Sequence, residues 1–120
     1  MVLVDTSVWV SHLRESNTPL IDLLDDAQVA CHPFIIGELA CGNLRNRVTI
    51  ISLLENLPTA LSVDHHEVIR FIENHKLQGQ GLGYIDVHLL ASAVLTGFSL
   101  WTFDKKLKQF SGKLNCMYKE

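Results

Sequence analysis

Four carboxylates stand where a chain of alternating strands and helices could use them together. Asp5 directly follows the apolar run Val2-Leu3-Val4, and Asp104 directly follows the run Phe98–Phe103. Asp86 falls in the first turn of a helical segment. Glu38 falls in the second turn of another, opened by Pro33, among apolar neighbours. If the two runs are parallel strands, Asp5 and Asp104 both lie at the carboxyl edge, where ligands bind in open α/β sheets. Helices that return antiparallel to the strands begin at that same edge, so acids far apart in sequence converge on one end of one sheet. Converging carboxylates repel and raise one another's pKa. A hard divalent cation relieves the repulsion, and all-oxygen ligands suit Mg²⁺ or Mn²⁺. Such a site can hold a phosphodiester, activate a water and stabilise the leaving oxygen. That is the chemistry of a metal-dependent phosphodiesterase, most simply a nuclease.

Each acid taken alone has an ordinary explanation. Asp5 can cap the helix that follows it, and Asp86 suits a helix start through the macrodipole. Glu38 can be a surface residue of an amphipathic helix, and Asp104 a turn residue. Their shared edge is what favours chemistry over these alternatives.

The elements that must position them follow from the pattern. Strand-like runs alternate with longer helical ones, which predicts an α/β fold with a mainly parallel sheet. Val2–Val4 is the first strand, and Thr6–Arg14 starts a helix at once. Thr18 is expected as an N-cap with Pro19 at the first helical position, followed by the apolar face Leu20, Ile21, Leu23 and Leu24. Gln28–Cys31 is a second strand. Pro33 opens a helix that ends at Gly42. Val48–Leu57 is helical up to Pro58, and Thr59–Val63 is a short strand. Asp64 caps the helix His65–Leu77, with Glu67 completing a capping box. Gly79, Gly81 and Gly83 form a flexible loop before the helix Ile85–Thr96, whose Ala91, Ser92 and Ala93 allow close packing on a sheet. Phe98–Phe103 is a further strand. A short basic helix follows Asp104, with an edge strand near Met117.

Composition bounds the rest. The 120 residues are 48% hydrophobic and 19% charged, which suits one folded domain over 1–120 and excludes a disordered chain. With 10 Lys and Arg against 13 Asp and Glu, the net charge of −3 excludes a protein held on nucleic acid by bulk charge. Cys31, Cys41 and Cys116 are odd in number and form no CxxC, which disfavours a disulfide scaffold or a zinc site and suits a reducing compartment. The opening Met1–Asp5 lacks a basic leader, and Leu89–Trp101 is too short to span a bilayer, so a soluble cytoplasmic protein is expected.

The segment Val4-Asp5-Thr6-Ser7-Val8-Trp9-Val10 resembles the opening of PIN-domain proteins, specifically the VapC-type toxins of bacterial toxin–antitoxin pairs. Gly37-Glu38-Leu39-Ala40-Cys41-Gly42 resembles the second acidic motif of that family. Tyr84–Ala93 resembles the third, an Asp followed by a small-residue helix, and Leu100-Trp101-Thr102-Phe103-Asp104 the fourth, a strand ending Thr-x-Asp. Order, spacing and chain length together carry the resemblance over essentially the whole chain. It implies a PIN-like three-layer sandwich with a central, mainly parallel sheet of four to five strands. It also implies an endoribonuclease using Mg²⁺ or Mn²⁺. Asp5, Glu38, Asp86 and Asp104 map onto the four acids of the family. Asp5 and Asp86 are then direct metal ligands, while Glu38 and Asp104 bind a second ion or orient water. Ser7 and Thr102 map onto hydroxyl positions that hydrogen-bond the carboxylates or substrate phosphate. The implied reaction leaves a 5′-phosphate and a 3′-hydroxyl. The implied partners are RNA, a small VapB-type antitoxin whose C-terminal segment places a basic residue in the acidic site, and a second copy of the chain in a homodimer. One departure stands out: Lys106 occupies a position where many relatives carry another Asp.

Other residues are less telling. Of six histidines, His88 lies two residues from Asp86 and so on a different helical face, while His65 and His66 are expected at the surface. Trp9 and Trp101 are expected in the core or at an interface. Lys105, Lys106, Lys108 and Lys113 form the one clear basic cluster, which is either a solvated helix face or a phosphate-binding surface. Gly79–Gly83 lacks the strand before it and the Lys-Ser/Thr after it that a phosphate-binding loop needs. Two rival readings share some features. A PIN-fold module that binds RNA or protein without catalysis is kept open by Lys106. A phosphoacceptor receiver domain would need paired acids after the first strand and an Asp after a central one, which are missing.

Overall fold

A computed structural model describes residues 1–120. Three buried β-type runs form a parallel sheet: β1 (Val2–Val4), β2 (Val29–Ala30) and β3 (Ser99–Trp101), in the order β2-β1-β3. Val2 stands opposite Val29 and Ser99, and Leu3 opposite Ala30 and Leu100. Seven helices complete the chain: α1 (Thr6–Glu15), α2 (Thr18–Asp25), α3 (Pro33–Cys41), α4 (Arg47–Glu55), α5 (His65–His75), α6 (Tyr84–Thr96) and α7 (Lys105–Lys113).

The sheet has three strands rather than the expected four to five. The two remaining segments contribute single parallel bridges, Cys31 to Thr59 at one margin and Leu100 to Met117 at the other. Pro58 lends only its carbonyl, which accepts from Cys31 N at 2.8 Å, because proline has no N–H to extend a ladder. Beyond Ala60 the chain leaves the sheet, and Leu61 N donates instead to Thr96 Oγ1 at 3.1 Å. At the other margin Asn115 takes a left-handed turn (φ 59°) straight out of α7, and pairing lasts only from Cys116 to Tyr118.

Local chemistry explains most boundaries. The Asp64–Glu67 capping box forms at the start of α5, and Gly97, at φ 77°, closes α6 in the left-handed conformation that glycine adopts without penalty. The start of α2 is a correction: Asn17, not Thr18, is the N-cap, because its Oδ1 reaches Leu20 N at 3.0 Å. Thr18 and Pro19 are then the first two helical residues.

The core centres on β1 and α6. Leu3, Val4, Leu20, Ile35, Leu89, Leu90, Leu100 and Leu107 are sealed from solvent, and Trp9 and Trp101 are buried as expected. Val87–Ala93 is buried without interruption. α6 is therefore a central helix, packed on β3 and against both α5 and α7. Its Ala91, Ser92 and Ala93 supply the short side chains that such close approach requires.

The strand order has a functional consequence. The chain leaves β1 towards β2 on one side, and leaves β3 through α7 towards the Met117 bridge on the other. Connections diverge between β1 and β3, and such a divergence opens a crevice outside the carboxyl ends of the strands.

Candidate metal and phosphodiester site

Asp5 stands at the β1 side of that crevice. Its N–H continues the ladder by donating to Trp101 O at 2.9 Å, and its side chain is buried. Oδ2 accepts from Thr102 Oγ1 at 2.7 Å and from Ser7 Oγ at 2.9 Å. Both hydroxyls are in turn fixed from behind: Phe103 N donates to Ser7 Oγ and Asp104 N donates to Thr102 Oγ1, each at 3.0 Å. A hydroxyl has one proton to give. Each of these gives it to Asp5, so the 3.4 Å approach between Ser7 and Thr102 is a packing contact. The effect is a one-way relay from the end of β3 to the end of β1. It locks one oxygen of Asp5 and leaves Oδ1 without a protein partner.

Asp86, in the first turn of α6, accepts from Gly83 N through Oδ2 at 3.1 Å. Half-burial pushes its carboxyl above the usual range. The Gly83 N–H opposes that shift, and the negative charges of Asp104 and Asp5 add to it. Asp104, the exposed N-cap of α7, accepts from Leu107 N at 2.9 Å. The structure thus brings Asp5, Asp86 and Asp104 into one electrostatic field, as their sequence positions predicted.

Glu38 is joined to this site differently. It is exposed on α3, and its Oε1 accepts from Thr6 Oγ1 at 2.8 Å. Sequence reading assigned no role to Thr6, although it immediately follows Asp5. Glu38 and Thr6 also line a cavity of about 750 Å³ walled by α1, α3 and the Asn43–Asn46 turn, with Arg14 and Arg45 among its polar groups. Asp5, Asp86 and Asp104 do not line it. Glu38 is therefore linked to the site only through Thr6, the residue after Asp5, and lines an open groove beside it.

No three acidic, histidine or cysteine side chains close into a ready-made cage. A hard cation such as Mg²⁺ keeps several waters and takes one or two carboxylates plus substrate phosphate, so it does not require such a cage. The donor set suits such an ion: a free Asp5 oxygen and the half-buried Asp86 carboxylate, in a field that an added cation relieves.

His88 does not join the acids. It is buried on the other face of α6, edge-on to Phe34 at 4.8 Å and to Tyr84 at 4.5 Å. His32 is buried beside it, and its Nδ1 caps α3 by accepting from Phe34 N at 3.0 Å. Burial, with the neighbouring His88, pulls His32 down to about 4. His65 and His66 are exposed, as expected. No helix is long and apolar enough to cross a membrane.

The model of the PIN-domain family matches residues 2–113. The chain is 47% identical over 109 residues to "Ribonuclease VapC32" of Mycobacterium tuberculosis, in both strain CDC 1551 / Oshkosh and strain ATCC 25618 / H37Rv. Each match covers 90% of this chain and 88% of the relative. PIN nucleases are generally metal-dependent, in agreement with the carboxylate field at the β1–β3 crevice. By its match to the family model and its likeness to these relatives, the chain belongs to the PIN-domain family as a VapC-type member.

Proposed function

We propose that this VapC-type ribonuclease toxin cuts RNA at the β1–β3 crevice, with Asp5, Asp86, Asp104 and Glu38 as its acidic machinery and Mg²⁺ or Mn²⁺ as cofactor. The observation that carries the reading is the Ser7–Thr102 clamp on Asp5, which leaves one carboxylate oxygen free in the shared field of Asp86 and Asp104. Asp5 and Asp86 would hold the ion, with Asp104 beside them. Bound there, a divalent cation would supply an activated water and charge neutralisation at phosphorus.

The protein's own residues do the positioning. Ser7 and Thr102 prevent Asp5 from rotating, so its free oxygen keeps one direction. The Gly83 N–H holds Asp86 in the same way. Glu38, tethered by Thr6 at the mouth of the groove, orients the attacking water or the substrate strand. Water attacks phosphorus in line and gives up a proton to solvent, the bond from phosphorus to O3′ breaks, and O3′ takes a proton from solvent. The products are a 5′-phosphate and a 3′-hydroxyl.

The same reading places the protein in the cytoplasm, as a single PIN domain over 1–120 with its helices layered on both faces of the sheet. It gives the toxin a small VapB-type antitoxin whose basic residue neutralises the acids, and a second copy in a homodimer.

The test is incubation of the partner-free protein with total RNA and with a structured tRNA, in Mg²⁺, Mn²⁺ and EDTA, beside an Asp5→Asn variant. Discrete cutting that requires metal and is lost in the variant is expected. Equal cutting by Asp5→Asn would overturn the assignment.

A further inference from the structure

We propose that Lys106 is a substrate-binding residue whose ammonium grips a phosphate of the RNA strand at the rim of the acidic crevice, supplying a fixed positive charge beside the carboxylates. The proposal rests on the ribonuclease reading and adds to it a residue for which the four-acid site has no use.

Three observations carry it. The first is where Lys106 lies. It follows Asp104 by two residues, and its stem is laid along the Gly79–Gly83 loop. Its Cγ, Cδ and Cε stand 3.9, 3.9 and 3.7 Å from where a Cβ on Gly81 would sit. Gly81, at φ 84°, occupies the left-handed region, and its bare Cα gives the three methylenes a flat track. Two residues further on, Gly83 N binds Asp86. The stem of Lys106 thus lies against the loop that leads to Asp86, two residues beyond Asp104.

The second is a conflict with helix electrostatics. Lys105 and Lys106 open α7, whose first turn contains no acid. The N-terminal end of a helix carries partial positive charge, so a lysine there is disfavoured and an acid is favoured. Lys105 shares this cost, so what singles out Lys106 is its contact with the glycine loop.

The third is the charge that an incoming strand meets at the crevice. The hydrogen-bonded oxygens of Asp86 and Asp104 are taken by backbone N–H groups, those of Gly83 and Leu107. An RNA phosphate must approach three aspartates in a chain of net charge −3. A lysine ordered along the adjoining loop lowers the repulsion that the strand meets there.

The experiment measures binding without cleavage. A fluorescent single-stranded RNA oligonucleotide is titrated in EDTA by anisotropy at several KCl concentrations, with wild type, Lys106→Met, Lys106→Arg and Lys105→Met. One lost contact to a single strand removes about 0.7 from the log–log salt slope, which corresponds to about fivefold weaker binding near 0.1 M salt. Lys106→Met is expected to show both effects, with Lys106→Arg close to wild type and Lys105→Met unchanged. In Mg²⁺, Lys106→Met should raise KM and leave kcat in place. Its melting temperature should hold or rise, because a dipole conflict is removed.

An unchanged slope in Lys106→Met, with wild type binding and cutting RNA, overturns the proposal and leaves the ribonuclease reading intact. An equal loss in Lys105→Met also overturns it, since the charge would then act diffusely. A lowered melting temperature with unchanged RNA affinity makes Lys106 a packing residue for the glycine loop. Wild type that neither binds nor cuts RNA removes both readings together.

Discussion

Thr102 Oγ1 lies 2.7 Å from Oδ2 of Asp5, across a sequence separation of 97 residues. The bond ties the ends of β1 and β3 together at the point where their connections part. It also sets which oxygen of Asp5 stays free. Thr102→Val keeps the shape and removes the hydroxyl, so Asp5 loses a donor and Asp104 N loses its acceptor. Loss of such an outer partner weakens metal binding by about 10–100-fold. Calorimetric titration with Mg²⁺ should show that loss, single-turnover cleavage should fall in parallel, and Thr102→Ser should restore most of both. Wild-type metal affinity in Thr102→Val would show that the clamp is dispensable.

Asp86 pits the site against the fold. Its carboxyl is raised by burial and by the charges of Asp104 and Asp5, so the folded protein holds that proton more tightly than the unfolded chain does. Above the raised value the ionised group therefore works against folding. Asp86→Asn removes the charge and keeps an oxygen for Gly83 N. The variant should melt at a higher temperature than wild type in EDTA near pH 7, while metal-dependent cleavage is abolished. A lower melting temperature would mean that the carboxylate stabilises the fold it occupies.

Much of this arrangement was readable from residue types. Asp5 and Asp104 end apolar runs, Asp86 opens a helix after three spaced glycines, and parallel topology sends all three to one edge. The capping box at Asp64–Glu67 and the stop at Gly97 were equally plain, because caps act over three or four residues and need no tertiary partner. The sheet margins were not. Thr59 and Met117 have the flanking apolar residues of strands, but Pro58 and the turn at Asn115 limit each to a single bridge. Strand length there is set by backbone hydrogen-bond supply, which a hydrophobic pattern does not encode.

The role of Thr6 was hidden for a related reason. Its neighbours Asp5 and Ser7 have partners at the end of β3, whereas Thr6 turns towards α3 and meets Glu38, 32 residues away. Helical geometry sends successive side chains to different faces, so adjacency to Asp5 said nothing about whom Thr6 would meet. Thr6→Val releases Glu38 without touching the three aspartates. Cleavage is expected to fall while Mg²⁺ affinity stays within about twofold of wild type, since the disturbed partner is outside the ion's own carboxylates. A parallel collapse of metal binding would place Glu38 among the direct ligands instead.

The buried histidines set an acid limit on the fold. His32 titrates near 4 rather than its ordinary 6.5, because burial, then the neighbouring His88, disfavours its charged form. In the unfolded chain the same ring takes up a proton near its ordinary value. Between those two values the unfolded state binds more protons, so stability rises with pH across the window. The contribution is fully present above about pH 6.5 and is lost as pH falls towards 4. His88, also held low by burial and then by His65, steepens the same slope. Urea unfolding followed from pH 7 downward should show stability falling through this window. His32→Asn keeps a side-chain acceptor for Phe34 N but cannot titrate, so it should begin less stable, having lost the ring's packing, and then decline less steeply with acid. An equal slope in variant and wild type would assign the acid limit to other groups.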